Sequence, residues 1–278
     1  MSHESEPAIA PTDDRPGPQP ARDDAGGLFA DTVMALRFFS RLPTGGSPHE
    51  TPVLKRMALA LPFASLVIGI GPALLLVFAL LLGLPSYFAA TLAVAAMVLA
   101  TGAMAEDAIA DSMDGLFGGS TRERRLEIMK DSRHGTYGVA ALCLFLAMRV
   151  TALGAVGAEN PLVAGGLWLA AGVLARSAAI WLPVALPAAR QTGAGATAGE
   201  LAWQSFAGGA GFAVILSIVL AGPFAGYLGL LLAFALLAVT VAGWTALCRK
   251  LVGGQTGDLT GGLIALCEIA ALTAFLLL

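Results

Sequence analysis

The sequence predicts an all-α membrane protein, a polytopic bundle of about seven transmembrane helices. Of its 278 residues, 57% are hydrophobic and 13% are charged, whereas a soluble domain carries about 25% charged residues. The mean hydropathy of +0.78 agrees with a membrane location. Long apolar runs without alternating polarity favour helices over a β-barrel, because each helix satisfies its own backbone hydrogen bonds in lipid.

Most of the apolar runs approach the ~20 residues that a helix needs to cross a ~30 Å hydrocarbon core. The run 210–222 is short, so it is a tilted span, a half-span or one arm of a hairpin with 225–247. The runs expected to cross the membrane are 57–83, 87–105, 138–157, 162–186, 210–222, 225–247 and 260–278.

The first part of the chain has a different composition. Residues 1–27 are rich in Pro, Asp, Glu and Gly, so we expect a disordered cytoplasmic tail without a signal peptide. Residues 28–278 are expected to form a single membrane-embedded domain. Cys143, Cys248 and Cys267 lie in or beside apolar runs without CxxC spacing, which favours buried thiols over a disulfide or a metal site.

The basic residues predict the orientation of the chain. Cytoplasmic loops collect Lys and Arg, and nearly all of these residues fall on one side if the N-terminus is cytoplasmic. The predicted inner segments that contain them are 1–56, 106–137, 187–209 and 248–259; the outer connections 84–86, 158–161 and 223–224 contain none. We therefore expect a cytoplasmic N-terminus and an external C-terminus.

The segment "LFADTVMALRFFSRLP" (28–43) has apolar residues at helical spacing, with Arg37 and Arg41 one turn apart. It is either an interfacial helix on the cytoplasmic leaflet or a simple lead-in to the first span.

The stretch "AEDAIADSMDGLFGG" (105–119) carries the main chemical signal. Asp107, Asp111 and Asp114 are spaced i, i+4, i+7 and share one face of a helix, while Glu106 lies to one side. Three stacked carboxylates repel one another unless a cation lies among them, and Mg²⁺ takes such oxygen ligands. The pattern predicts a metal site, with a solvated acidic helix end as the alternative.

Cations follow the acids in "STRERRLEIMKDSRHGTYG" (120–138), where we expect a short amphipathic helix, about 121–131, capped by Ser120 or Thr121. The sequence then supplies Lys130, Asp131, Arg133 and His134, a combination that suits polyanionic phosphate substrates. The positive-inside rule alone also explains the basic residues.

Several ionisable residues lie within or beside the predicted spans and are functional candidates for that reason. Arg176 lies in a span and could neutralise Glu268 or an acid of the cluster, whereas Arg149 is expected to be structural. Arg190 and Asp258 lie in Gly-rich cytoplasmic loops.

With these residues assembled, the chain resembles the cobalamin synthase family, the adenosylcobinamide-GDP ribazoletransferases of bacterial vitamin B12 assembly. The family pattern has His before the acidic pair and Gly after it, where this chain has Ala105 and Ala108. The matching stretches, in order along the chain, are "ALRFFSRLP" (35–43), "EDAIADSMDGLFGG" (106–119), "TRERRLEIMKDSRHGTYG" (121–138), "ARSAAIWLPVALPAAR" (175–190) and "GGQTGDLTGGLIALCE" (253–268).

The resemblance implies a reaction at the cytoplasmic face of a bacterial inner membrane. The ribose hydroxyl of α-ribazole or its 5′-phosphate attacks the corrinoid-bound phosphorus of adenosylcobinamide-GDP, and GMP leaves, with Mg²⁺ as cofactor. The expected metal ligands are Asp107, Asp111 and Asp114, with Glu106 as a further ligand or the base. The expected phosphate-binding residues are Lys130, Arg133, Arg176 and Arg190, and the residues that hold a second metal or orient ribose are Asp131 and Asp258.

Two other functions compete with this interpretation. A CDP-alcohol phosphatidyltransferase also uses Asp-rich motifs, and Asp111 to Gly115 match the start of its motif, but 117–119 lack its Ala-Arg pair. A secondary transporter is the second alternative, although no internal repeat supports it. The bilayer and the two substrates are the expected partners, without nucleic acid; a homo-oligomer stays open.

Overall fold

The structure, a computed structural model, describes residues 27–45, 53–131, 133–190 and 201–277. Every regular element within these ranges is a helix, which confirms the predicted all-α class. The helices are α1 (Leu28–Phe39), α2 (Leu54–Leu81), α3 (Ser86–Thr101), α4 (Met104–Gly118), α5 (Arg122–Ile128), α6 (Thr136–Glu159), α7 (Pro161–Ala179), α8 (Leu182–Ala185), α9 (Trp203–Leu251) and α10 (Gly257–Leu276).

Five helical stretches in the described part of the chain are long and apolar enough to cross a membrane: α2, α6, α7 with α8, α9 and α10. The pair α3 and α4 passes the same test only as one unit, bent by 85° between its two helices, and would be the sixth. The predicted number of about seven crossings and the orientation stay predictions.

Helix α9 contains a break that bears on the short run 210–222. At 1.5 Å per residue its 49 residues would extend roughly 73 Å, more than twice the hydrocarbon core. Gly226 interrupts it with a left-handed φ of 63°. Gly209 lies against the carbonyl of Ala58, and Trp244 Nε1 donates to the Leu259 carbonyl at 2.9 Å.

Ala58 and Leu259 lie near the N-termini of α2 and α10, whose first residues border one cavity. Both ends of α9 therefore lie at the same end of the bundle, and the helix doubles back at Gly226. Its first arm begins at Trp203 rather than at residue 210. That start makes the arm long enough to cross, so the hairpin is the alternative that the structure supports.

The stretch of α7 with α8 lies at the centre of the bundle and is largely buried, whereas most of α9 is exposed. One apolar core runs through the long helices. Large apolar side chains such as Ile215, Val219, Leu231 and Val239 stay exposed on α9, as expected where lipid replaces protein as the apolar partner.

The short helices α1 and α5 join the end of the bundle that carries the acids. Helix α1 buries Met34, Leu36 and Phe39, and it packs on α2. Thr121 caps α5 by accepting a hydrogen bond from the Arg124 amide, so the predicted helix is confirmed but ends at residue 128.

Two further predictions concern the cysteines and the N-terminal tail, and the prediction of buried thiols is wrong for one cysteine. All three cysteines are free, but Cys143 is exposed, in contrast to the buried Cys248 and Cys267; its face of α6 points away from the core. The prediction of a disordered tail concerns residues 1–27, of which 1–26 lie outside the described residues.

Candidate active site

A cavity of about 580 Å³ opens at the end of the bundle where α2 and α10 begin. Arg37 and Arg41, from the end of α1 and the residues after it, form one part of its wall. Asp107 of α4 and Asp258 of α10 belong to another part. The cavity therefore holds carboxylates and guanidinium groups within one space, as a ligand with a metal-bound polyphosphate requires.

Two glycines of α10 allow α4 to approach closely. A Cβ atom at Gly261 would lie 2.5 Å from the Cβ of Ala108, and one at Gly262 would lie 2.9 Å from the Ser112 hydroxyl. That hydroxyl donates to the Asp258 carbonyl at 2.9 Å. The first turn of α10 is thereby fixed against the middle of α4, which brings Asp258 to the acidic face.

Asp111 lies one turn beyond Asp107, with its side chain 17% exposed. Coulombic repulsion from Asp107, Asp258 and Asp114 acts on its carboxylate. His134 Nδ1 lies 3.8 Å from the Asp111 carboxylate, where a protonated imidazole opposes this repulsion. The concentration of negative charge predicted from the sequence is thus present, and Asp258 adds to it.

Asp114 has a structural role in this geometry. Its two carboxylate oxygens accept hydrogen bonds from the Gly135 amide at 2.6 Å and from the Gly138 amide at 2.8 Å. These amides begin α6, where the unpaired N–H groups and the helix dipole favour a negative charge. A Cβ at Gly138 would lie 2.2 Å from an Asp114 oxygen, so the cap needs glycine at that position.

Glu106 points away from the cavity into the bundle. Arg149 donates to Glu106 at 2.8 Å and to Glu268 at 2.7 Å, and all three side chains are buried. Glu268 also accepts a hydrogen bond from Trp168 Nε1 at 2.8 Å. On a helix, Glu106 lies about 100° from Asp107, so these adjacent residues face different neighbours: Glu106 the bundle interior and Asp107 the cavity.

Arg176 is buried beside the same group rather than in the cavity. Its guanidinium donates to the Gly172 carbonyl at 3.3 Å and contacts the Met97 sulfur at 3.9 Å. Glu268 and Glu106 attract it electrostatically. Its geometry agrees with the alternative of neutralising Glu268 and not with phosphate binding in the cavity.

Arg190 reaches the acidic face through a contact between two loops. The Ala189 amide donates to the Gln255 carbonyl, and the Gln255 amide donates to the Pro187 carbonyl, each at 2.8 Å. This bridge brings Arg190 Nη1 to 3.5 Å from Asp258. Two residues predicted for different roles, phosphate binding by Arg190 and metal or ribose contact by Asp258, therefore lie side by side, although they are far apart in the sequence.

Lys130, Asp131 and Arg133 lie on the surface, outside the cavity lining. Arg133 donates to both carboxylate oxygens of Asp131, at 3.0 and 2.7 Å. These hydrogen bonds lower the pKa of Asp131 to about 2. Asp131 is thus a permanent anion with its own partner, and the structure does not bring it or the two cations to the acids.

The predicted ligand set of four acids is not assembled as one group. No three His, Cys, Asp or Glu side chains converge among the residues that the structure describes. The reason is that Glu106 pairs with Arg149 and Asp114 caps α6. Mg²⁺ at phosphate sites takes one or two carboxylates and completes its shell with water and substrate oxygens, so Asp107 and Asp258 still suit this ion.

Arg37 and Arg41 were not among the predicted site residues. Their spacing of one turn indicates either an interfacial helix or a lead-in to the first span, and neither interpretation assigns them to a site. The signal that could have identified them is that both lie in the stretch "ALRFFSRLP" (35–43), which resembles the family. Only the packing of α1 on α2 shows that they face the acids.

The fold and the cavity together define a class of protein. Apolar helices of spanning length surround a cavity at one end of the bundle, and charged side chains line part of its otherwise largely apolar wall, so this is a polytopic membrane protein with charged groups gathered at one end.

Comparison with known proteins narrows the class to a family. A family model described as "Cobalamin-5-phosphate synthase" matches residues 31–276. The adenosylcobinamide-GDP ribazoletransferase of Azorhizobium caulinodans is 42% identical over 254 residues, which cover 90% of this chain and 96% of the relative. The chain therefore belongs to the cobalamin-5-phosphate synthase family, as its resemblance indicated.

Other relatives have the same name. The adenosylcobinamide-GDP ribazoletransferase of Rhizobium johnstonii is 40% identical over 252 residues, covering 88% of this chain and 95% of the relative. That of Brucella ovis is 36% identical over 252 residues, covering 88% and 96%. No solved structure matches the chain. Family membership favours the ribazoletransferase interpretation over the phosphatidyltransferase and transporter alternatives.

Proposed function

We propose that this protein transfers the adenosylcobinamide-phosphate group of adenosylcobinamide-GDP to the ribose hydroxyl of α-ribazole or its 5′-phosphate, at a Mg²⁺ site formed by Asp107 and Asp258. The observation that carries the proposal is the cavity in which these two acids share a space with Arg37 and Arg41. The relatives named as ribazoletransferases align along nearly the whole chain.

The reaction exchanges one bond at phosphorus. The ribose hydroxyl oxygen bonds to the corrinoid-bound phosphorus, the bond from that phosphorus to the bridging oxygen breaks, and GMP leaves with the electron pair. The hydroxyl proton is released to water. Glu106 is a poor acceptor for this proton, because it is buried and paired with Arg149. Bound Mg²⁺ would neutralise diphosphate oxygens and stabilise the charge that develops on the leaving group.

The residues of the chain have distinct parts in this scheme. Asp107 and Asp258 present oxygen ligands to the cavity, and Asp111 adds negative charge one turn away. Arg190, in the loop after α8, forms an ion pair with Asp258. Gly261 and Gly262 allow close approach of α4 and α10, the two helices that carry these carboxylates.

We further propose that the protein lies in the inner membrane of a bacterium and that its cavity opens to the cytoplasm. The support is the positive-inside rule, because basic residues surround the cavity end of the bundle while the opposite connections have none. The residues at the cavity end include Arg122, Arg125, Lys130, Arg190, Arg249 and Lys250.

The test is turnover by the full-length protein purified in detergent, with adenosylcobinamide-GDP, α-ribazole 5′-phosphate and Mg²⁺, while GMP release is measured. We expect EDTA to abolish release and Mg²⁺ to restore it. Asp107→Asn should lower release by about a hundredfold or more, the order expected when charge stabilisation by a metal is lost.

Glu127→Gln is the matched control, because Glu127 is exposed, lies outside the cavity lining and pairs with the surface residue Arg124. It should keep the release rate of the unaltered protein. Absence of GMP release from folded protein with Mg²⁺ would refute the function, and full activity of Asp107→Asn would refute the metal assignment.

A further inference from the structure

Arg41 has an unusual position among the arginines at the cavity end of the bundle. Its backbone is anchored, since its amide donates to the Ala100 carbonyl of α3 at 2.7 Å. The preceding Ser40 is buried, and its hydroxyl donates to the Leu36 carbonyl at 2.6 Å. The chain after α1 is thereby fixed against the end of α3, which determines where the Arg41 side chain begins.

Gly102 then determines the course of the Arg41 side chain. A Cβ at Gly102 would lie 2.6 Å from Arg41 Nε and 2.8 Å from its Cγ, so the side chain crosses bare backbone. Gly102 has a φ of 64°, a conformation that favours glycine. The bend between α3 and α4 therefore includes a groove that holds Arg41 along the cavity wall.

The guanidinium of Arg41 has no hydrogen-bond or ion-pair partner among the described residues. Other arginines nearby do: Arg125 donates to the Leu116 and Leu251 carbonyls, and Arg190 donates to the Leu126 carbonyl. The difference matters, because a cation that is positioned but not neutralised by the protein is suited to an anionic ligand.

The surroundings of Arg41 specify what kind of anion fits. Arg37 lies one turn earlier on the same wall, and its Nε donates to the Thr44 hydroxyl at 3.1 Å. Asp107 and Asp258 border the same cavity. A group with several negative oxygens can contact guanidinium on one side and share a cation with the carboxylates on the other, and a phosphate group has these properties.

We propose that Arg41, held by Gly102 and assisted by Arg37, forms a phosphate subsite on the wall that also presents the two acids. The proposal rests on the proposed function and specifies which residues of that site bind a phosphate group of the substrates. The phosphate is either the one that leaves as GMP or the 5′-phosphate of the attacking α-ribazole. In both cases Arg41 contacts phosphate oxygens directly and matches their charge.

The first measurement is ligand binding without turnover, so that it does not depend on the reaction. Binding of GMP to the full-length protein in detergent with Mg²⁺ is followed by calorimetry for the unaltered protein, Arg41→Gln and Arg41→Lys. Release of GMP is measured separately with α-ribazole and with its 5′-phosphate. Arg124→Gln is the matched control, because Arg124 is an exposed arginine outside the cavity.

If Arg41 binds the departing phosphate, Arg41→Gln should weaken GMP binding about 10- to 100-fold, the loss expected for a charged hydrogen bond. Arg41→Lys should restore part of it, since lysine lacks the two-pronged geometry. If Arg41 binds the 5′-phosphate of α-ribazole, GMP binding stays unchanged while Arg41→Gln removes the advantage of the phosphorylated acceptor. Either pattern supports the subsite.

Gly102→Ala supplies a second test, since it keeps the charge of Arg41 but fills its groove. It should move either readout in the same direction as Arg41→Gln, and an unchanged unfolding midpoint shows that the variant is folded. The subsite is refuted if Arg41→Gln equals Arg124→Gln in both GMP binding and acceptor preference.

The two proposals fail in different ways. If the unaltered protein releases GMP, and the Arg41→Gln variant equals it in GMP binding and acceptor preference, the subsite is refuted. The proposed function is then still supported. Binding of GMP that depends on Arg41, without GMP release from the unaltered protein, refutes the function and leaves the subsite intact.

Discussion

The cap at the start of α6 allows metal binding and helix anchoring to be separated experimentally. Asp114→Asn keeps the size of the side chain but replaces one carboxylate oxygen with an amide donor. That donor would face the Gly135 or Gly138 amide, each of which now donates to Asp114. One hydrogen bond is lost, and the charge at the helix N-terminus is lost with it.

The magnitude follows from these contacts. A hydrogen bond to a charged group contributes ~1.5–3 kcal/mol, and a carboxylate at a helix N-terminus contributes ~0.3–2 kcal/mol. The first turn of α6 should therefore open more easily by about 2–5 kcal/mol. The lower value corresponds to an increase of about 30-fold in the rate of amide exchange through local opening.

The assay is hydrogen–deuterium exchange of peptides that cover residues 133–140, beside GMP release from the same preparation. We expect faster exchange in Asp114→Asn and unchanged exchange in Asp107→Asn, with activity lowered in both. Unaltered exchange in Asp114→Asn together with lost activity would show that Asp114 acts on the ligand and that the capping argument is wrong.

Three further predictions concern stability and titration. Arg149→Met leaves two buried glutamates without their cation and should destabilise the protein by ~3–5 kcal/mol in thermal unfolding in detergent; an unchanged midpoint would mean that both glutamates are neutral. Gly261→Ala adds a carbon 2.5 Å from Ala108 and should cost ~1–3 kcal/mol, whereas Gly243→Ala, in open space, should cost nothing; equal midpoints would contradict the close approach of α4 and α10. The pKa of the Asp131 carboxyl should be about 2, below its ordinary value of 3.8, because hydrogen bonds from Arg133 stabilise the charged form. The contribution of this pair to stability is complete above pH 3.8 and is lost as the pH falls towards 2. The measurement is carbon NMR of the carboxyl, and a titration midpoint at the ordinary value would show that the pair does not form.

The sequence predicted the helical class and the acidic face because both depend on local spacing. Apolar runs of membrane length need no tertiary contact to be recognised, and Asp107 and Asp111 share a face on any α-helix. The run 210–222 was more difficult to interpret. Its helix begins earlier, at Trp203, in a stretch with too few apolar residues to stand out.

The partners of the acids depend on contacts between distant segments, which a pattern in one helix does not encode. Glu106 and Asp107 are neighbours in the sequence, yet α6 supplies Arg149 to the first while the cavity receives the second. Asp258 joins the acids because of two glycines on α10. The roles of Arg37 and Arg41 depend in the same way on the packing of α1.

Helix α4 is attached at two points, and the attachment affects the entropy of ligand binding. Arg149 holds Glu106 near its beginning, and the amides of α6 hold Asp114 near its end. Asp107 and Asp111 lie between these anchors, so their backbone is ordered before a ligand arrives. Binding a cation and a phosphate then requires the ordering of side chains alone, and more of the interaction energy is retained as affinity.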